Sequence, residues 1–224
     1  RPNFESLLYQ VTQSAGGQTA DGSMLTSASS VGTGVKLLNT QKLYTQGGLV
    51  STDNSLDLAI DGAGFFQVLM PDGRMGYTRN GTFSRNGEGT LTTSSGYVLQ
   101  PQIQIPEGVQ EINISSDGIV SVLLPGEAIP QEAGQLALAN FINPRGLQAI
   151  GETFMVETPA SGAPIEGLPR SAGFGKLNQG FLEGSNVNVV QQLVEMIETQ
   201  RAYEVSSKSI SGVDEMMRFL SNNL

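Results

Sequence analysis

Hydrophobic positions along this chain follow two different periods, and the change of period divides it. Between about Leu56 and Glu166, apolar and polar residues alternate over short runs. LDLAIDG sets Leu56, Leu58 and Ile60 on one face, and GFFQVLM follows directly after a glycine turn. YVLQPQIQIP, EINIS, IVSVLL and QLALANFI each alternate for four or more residues. A period of two predicts strands with one face buried. The pairs Asp72-Gly73, Asn80-Gly81, Asn86-Gly87 and Asp117-Gly118 stand between these runs. Asx-Gly pairs supply the positive φ that tight hairpins require, so this stretch predicts an all-β domain.

After Asn188 the period changes. From there to Leu224 the chain contains no proline and, apart from Gly212, no glycine. Val189, Met196, Tyr203, Ile210, Met217 and Leu224 recur at every seventh position. Val213 and Leu220 add the complementary spacing near the end, while Leu193 and Ile197 widen the stripe near the start. This predicts a coiled-coil-like helix of about 35 residues, roughly 50 Å long. Asn186 or Asn188 is placed to cap it, and Glu204/Lys208 and Asp214/Arg218 stand as acid-first i,i+4 pairs. Gln192, Thr199 and Ser206 occupy the other seam positions. That polar seam is too weak for a tight two-stranded zipper, so the helix is expected to pack against other copies or an N-terminal partner rather than across its own domain.

The flanking segments carry weaker patterns. Phe4, Leu7, Leu8 and Tyr9 have the spacing of one helical turn, and a Ser-, Thr- and Gly-rich stretch from Gln13 to Gly34 follows. That stretch reads as a flexible loop, or as one that orders only against a neighbouring subunit. Residues 167–186 form a second glycine-rich, weakly patterned stretch. The expected fold is mainly β with terminal α. Its parts are an extended N-terminal segment and loop (residues 1–55), an all-β outer domain (56–175), and a linker with the long C-terminal coiled-coil-like helix (176–224).

Composition narrows the function by exclusion. Twelve Lys and Arg against 21 Asp and Glu give a net charge of −9, the wrong sign for a nucleic-acid partner or an anionic membrane. There is no Cys and no His, which removes disulfides, thiolate nucleophiles and the commonest general base and metal ligand. A two-carboxylate glycosidase could draw on Asp53, Asp57, Asp61, Asp72, Glu107 or Asp117. Asp72 and Asp117, however, precede glycine in turns, where Asp is favoured for backbone reasons alone. Catalytic, cofactor and metal sites are therefore not expected, nor is a small-molecule substrate. No apolar run approaches the roughly 20 residues that span a bilayer. Arg1 stands first in place of Met, which reads as a chain whose beginning is absent.

Three segments resemble the flagellar rod and hook family. NSLDLAIDGAGFFQV (54–68) is similar to the opening of that family's β domain, and YTRNGTFSRNGEGTLTTSSGYVLQ (77–100) continues the likeness. GSNVNVVQQLVEMIETQRAYEVSSKSI (184–210) is similar to its C-terminal signature, in which Ser-Asn-Val runs into Gln-Arg-Ala-Tyr-Glu. Residues 9–34 look like the insertion carried by distal rod members. The N-terminal heptad helix of the family, and the Gly-Phe-Lys-like segment after it, have no counterpart in this sequence. The resemblance implies a structural subunit of the basal-body rod crossing the periplasm. Such subunits leave the cell unfolded through the flagellar type III apparatus and stack helically around an export channel. It implies further copies of the chain, proximal rod and hook subunits and a surrounding outer ring bushing as partners. The assembly interface is then expected at Val189, Leu193, Met196, Ile197, Tyr203, Ile210, Val213, Met217 and Leu220. Alternatives are a hook or proximal rod subunit, a secreted β-rich binding module and a carboxylate glycosidase.

Overall fold

The computed structural model describes residues 2–7, 9–13, 29–32, 34–40, 42–126, 129–151 and 153–222. It is mostly short β-strands followed by one long C-terminal helix, the fold class expected from the two periods.

The strand Phe65–Leu69 organises the β domain. It pairs antiparallel with Met75–Thr78 on one side and with Val98–Gln100 on the other, inside a nine-stranded sheet. Consecutive side chains of a strand leave on opposite faces, so Phe65 and Phe66 seed two separate cores. Phe66 and Val68 enter the main core with Phe83, Leu99, Leu138 and Leu177. That core is closed by Ile114, Val120 and Val122 from the three-stranded sheet Glu111–Ile114, Ile119–Leu123 and Gln131–Gln135. Phe65 enters a smaller cluster with Tyr77, Phe141, Leu147 and Met155. Rings there meet edge to face, Tyr77 and Phe141 at 4.8 Å and Phe65 and Tyr44 at 6.2 Å. Tyr44 thereby fastens the segment entering the domain to the back of the sheet, and its hydroxyl lies 3.3 Å from Met155 Sδ.

The Asx-Gly turns fall where the pattern put them, but only two use glycine for its positive φ. Gly73 and Gly118 have φ of +80° and +84°. In the Asn86 turn it is Gly89, not Gly87, that takes this conformation. The side-chain oxygen of Asn86 accepts bonds from the backbone N–H groups of Glu88 and Thr90. Gly81 is required by close approach, since a Cβ there would fall on the carbonyl oxygen of Leu58.

Two expectations are corrected. In place of a helical turn, Pro2–Ser6 is a strand paired with Val35–Thr40, and Tyr9–Gln13 pairs with Ser29–Gly32. A four-residue window cannot separate helix from strand, and the ladder partner 30 residues downstream decides. Residues 14–28 of the proposed loop lie outside the described residues. The weakly patterned stretch 167–186 also contains strands. Lys176–Gln179 pairs with Leu58–Asp61, and Phe181–Glu183 with Leu49–Ser51.

Burial raises the Tyr77 phenol to about 12, with the nearby charges of Glu157 and Glu166 adding to the shift. A group whose folded pKa lies above its ordinary value of 10.0 contributes stability present below that value and lost as pH rises through the folded pKa. Thermal melts should therefore fall steeply between about pH 10 and 12, and less steeply in Tyr77→Phe. Parallel profiles for the two proteins would contradict this.

Candidate assembly interface

The C-terminal helix runs from Val189 to Asn222. Of the two candidate caps, Asn188 takes the role: its Oδ1 accepts from the backbone N–H of Val190 (3.1 Å) and Gln191 (3.2 Å). Asn186 works outside the helix. Its Nδ2 donates to the carbonyl oxygens of Leu43 (3.2 Å) and Thr45 (2.8 Å) and to Thr45 Oγ1 (3.0 Å).

Asn186 thus joins the chain entering the β domain to the chain leaving it. The same two stretches meet at Gly47 and Gly184, where a Cβ on Gly47 would collide with the Gly184 carbonyl. The N–H of Gly184 donates to the Gly48 carbonyl at 2.8 Å. The helix therefore begins from a zippered pair of strands, not from a loose tether.

Beyond this root its apolar side chains are in solvent. Val189, Leu193, Met196, Ile197, Tyr203, Ile210, Val213 and Met217 are all exposed, Tyr203 most of all at 77%. Leu220 lies in the helix, but its side chain and Leu224 fall outside the described part. Sequence reading missed Val190, Val194, Val205, Met216 and Phe219, which are exposed as well. The polar seam residues need no partner. Thr199 Oγ1 donates to the Glu195 carbonyl (2.8 Å) and Ser206 Oγ to that of Ala202 (2.9 Å). Among the described residues, the pairs Glu204/Lys208 and Asp214/Arg218 form no ion pair, and there is no second α-helix to make a coiled coil.

The full set of apolar residues does not make one stripe. At about 100° per residue, Val189, Val190, Leu193, Val194, Met196 and Ile197 centre on one side of the helix. Ile210, Val213, Met216 and Met217 centre nearly opposite, rotated by about 160° on the same geometry, while Phe219 lies nearer the first side. A seven-residue repeat drifts by ∼20° per heptad on a straight helix, and the residues flanking it shift from one side of the row to the other. The helix carries two apolar faces, one on each half.

Four of the six carboxylates considered for catalysis are engaged locally. Asp57 is buried and accepts from Thr52 Oγ1 (2.8 Å) and Asn54 Nδ2 (2.9 Å). Asp61 pairs with Lys176, Asp117 with Arg170, and Asp72 with Arg74. The side-chain bond from Arg74 holds the Asp72 carboxyl below its usual range.

Residues 59–122 match the family model of the flagellar hook protein FlgE/F/G D1 domain, and residues 178–224 that of the flagellar basal body rod FlgEFG protein C-terminal region. The flagellar basal-body rod protein FlgG of Buchnera aphidicola from Acyrthosiphon pisum is 48% identical over 99% of this chain and 85% of its own length. The chain belongs to the flagellar basal-body rod protein family. FlgG of Caulobacter vibrioides is 44% identical over 99% of the chain and 85% of its own length. FlgF of the same organism is 32% identical over 96% of the chain and 81% of its own length. As a member of this family the chain is a structural subunit of the flagellar basal body and not an enzyme. The long exposed helix falls within the region that matches the C-terminal family model.

Proposed function

We propose that the chain is a distal rod subunit that polymerises helically into a stiff drive shaft, carries torque from motor to hook and encloses the export channel. The observation that carries this reading is the helix with two opposed apolar faces. One neighbour can cover only one side of a straight helix, so complete burial needs two neighbours. An arrangement in which every copy has two forms a ring if the rotation between copies closes, and an open helical assembly, the form proposed for this shaft, if it does not. Burying each Val, Leu, Ile, Met or Phe is worth roughly 1.5–3 kcal/mol, so each half can hold a neighbour by several such side chains. The interface comprises Val189, Leu193, Met196, Ile197, Tyr203, Ile210, Val213, Met217 and Leu220, joined by Val190, Val194, Met216 and Phe219. Proximal rod subunits meet the polymer at one end and hook subunits at the other, and an outer ring bushing surrounds it in the periplasm. Residues 9–34 lock neighbouring copies and stiffen the tube.

Electron microscopy of basal bodies labelled at the exposed Asp72-Gly73 turn tests this. Label on the rod, together with tubes formed by the purified protein, is the expected result. An unlabelled rod and a protein that stays monomeric at high concentration would overturn it. The second reading is a proximal rod subunit of the same family, and label at the inner end of the rod would select it.

A further inference from the structure

The helix is a lever, and something must set its angle. At 1.5 Å per residue its 34 residues reach about 50 Å, so a swing of about 10° at the root moves the tip by roughly 9 Å, a full interaxial spacing between packed helices. The strand that leads into it, Phe181–Glu183, is three residues long and pairs only with the equally short Leu49–Ser51. A two-stranded ribbon of that size is not stiff by itself.

Arg79 ties this ribbon, already joined through Asn186 and Gly184, to the β domain. It follows the strand Met75–Thr78 of the large sheet, and all three nitrogens of its guanidinium are engaged. Nε donates to Glu183 Oε2 at 2.9 Å, and Nη2 lies at ion-pair distance, 2.9 Å, from the same oxygen. Nη1 donates to the carbonyl oxygens of Gly62 (2.8 Å) and Gly64 (2.7 Å), and Nη2 also to that of Ile60 (3.3 Å). The other carboxylate oxygen of Glu183 accepts the backbone N–H of Gly47 at 3.0 Å. One ion pair therefore fixes the incoming chain, the outgoing chain and a turn of the β domain together. Side-chain exposure here is 23% for Arg79 and 14% for Glu183, against 40% or more for both partners in each of the other three ion pairs among the described residues. A pair this shielded keeps its geometry where an exposed pair does not.

We infer that Arg79 and Glu183 are positioning residues which set the direction in which the C-terminal helix leaves the β domain. Lysine cannot replace Arg79, because a single ammonium cannot span a carboxylate and three carbonyls set in a fork. The role in the rod rests on the function proposed above; the joint itself does not.

The chain lacks cysteine, so Glu88→Cys on a domain turn and Val187→Cys just before the helix can carry a pair of spin labels without background. The distance distribution is measured in the unassembled full chain, so failure to polymerise leaves the result intact. Arg79→Lys should broaden the distribution at least about twofold, because the fork that holds both segments is lost. The thermal midpoint of the β domain should shift far less than in a core variant. Should Arg79→Lys fold poorly, Glu183→Gln keeps an oxygen for Gly47 and loses only the acceptor facing Arg79, and the same broadening is expected. A distribution as narrow as the parent's in either folded variant would overturn the inference.

Discussion

Replacing Ile210 or Met217 with aspartate should abolish assembly while leaving the β domain folded. The two side chains are 65% and 64% exposed, so neither contributes to the packing of the domain. The substitution adds a charge where the subunit reading requires burial against a neighbour, and an unpaired buried carboxylate costs several kcal/mol. The loss recurs at every copy along a polymer, so a modest penalty per contact prevents growth. Denaturation midpoints should match the parent, and cells complemented with either variant should lack rods and fail to swim. Leu193→Asp, on the opposite face of the other half, should have the same effect, because each copy needs both neighbours. Normal swimming in any of the three would remove that face from the interface.

Phe66→Ala should cost about 3–5 kcal/mol, the usual range for deleting a fully buried aromatic ring. Phe66 is inaccessible to solvent, sits on the strand that pairs with three others, and meets Phe83 edge to face at 5.1 Å. Against a total stability of about 5–15 kcal/mol for a typical domain, this leaves the β domain near its unfolding threshold at growth temperature. Phe65→Ala removes a ring of the same size from the smaller cluster, whose walls include the only partly buried Tyr44, and should cost less. Urea midpoints for the two variants measure the difference. Equal losses would mean that the two cores are energetically one.

Much of this molecule could be read without coordinates because it is encoded over short distances. Asx-Gly pairs mark turns whatever surrounds them, and an asparagine followed by a run free of Gly and Pro starts a helix. The helix was expected from Asn188, and it begins at Val189. The three signatures are contiguous stretches, so family membership was legible in the same way. Even so, counting sevens alone missed Val190, Val194, Met216 and Phe219, and so missed that the two halves of the helix face different ways.

The sequence by itself determined where the chain turns, where the helix starts and to which family it belongs. Tertiary structure alone decided what each short strand pairs with and what holds the root of the helix. The strands of residues 176–183 have too few residues to announce a period, and their partners lie more than 100 residues upstream. Asn186 and Asn188 are equivalent as candidate caps until the carbonyls of Leu43 and Thr45 arrive beside one of them. Arg79 and Glu183 are ordinary charged residues separated by 104 positions. Only folding brings one guanidinium against three carbonyls and a carboxylate, because the geometry that gives the pair its role exists in no local segment of the chain.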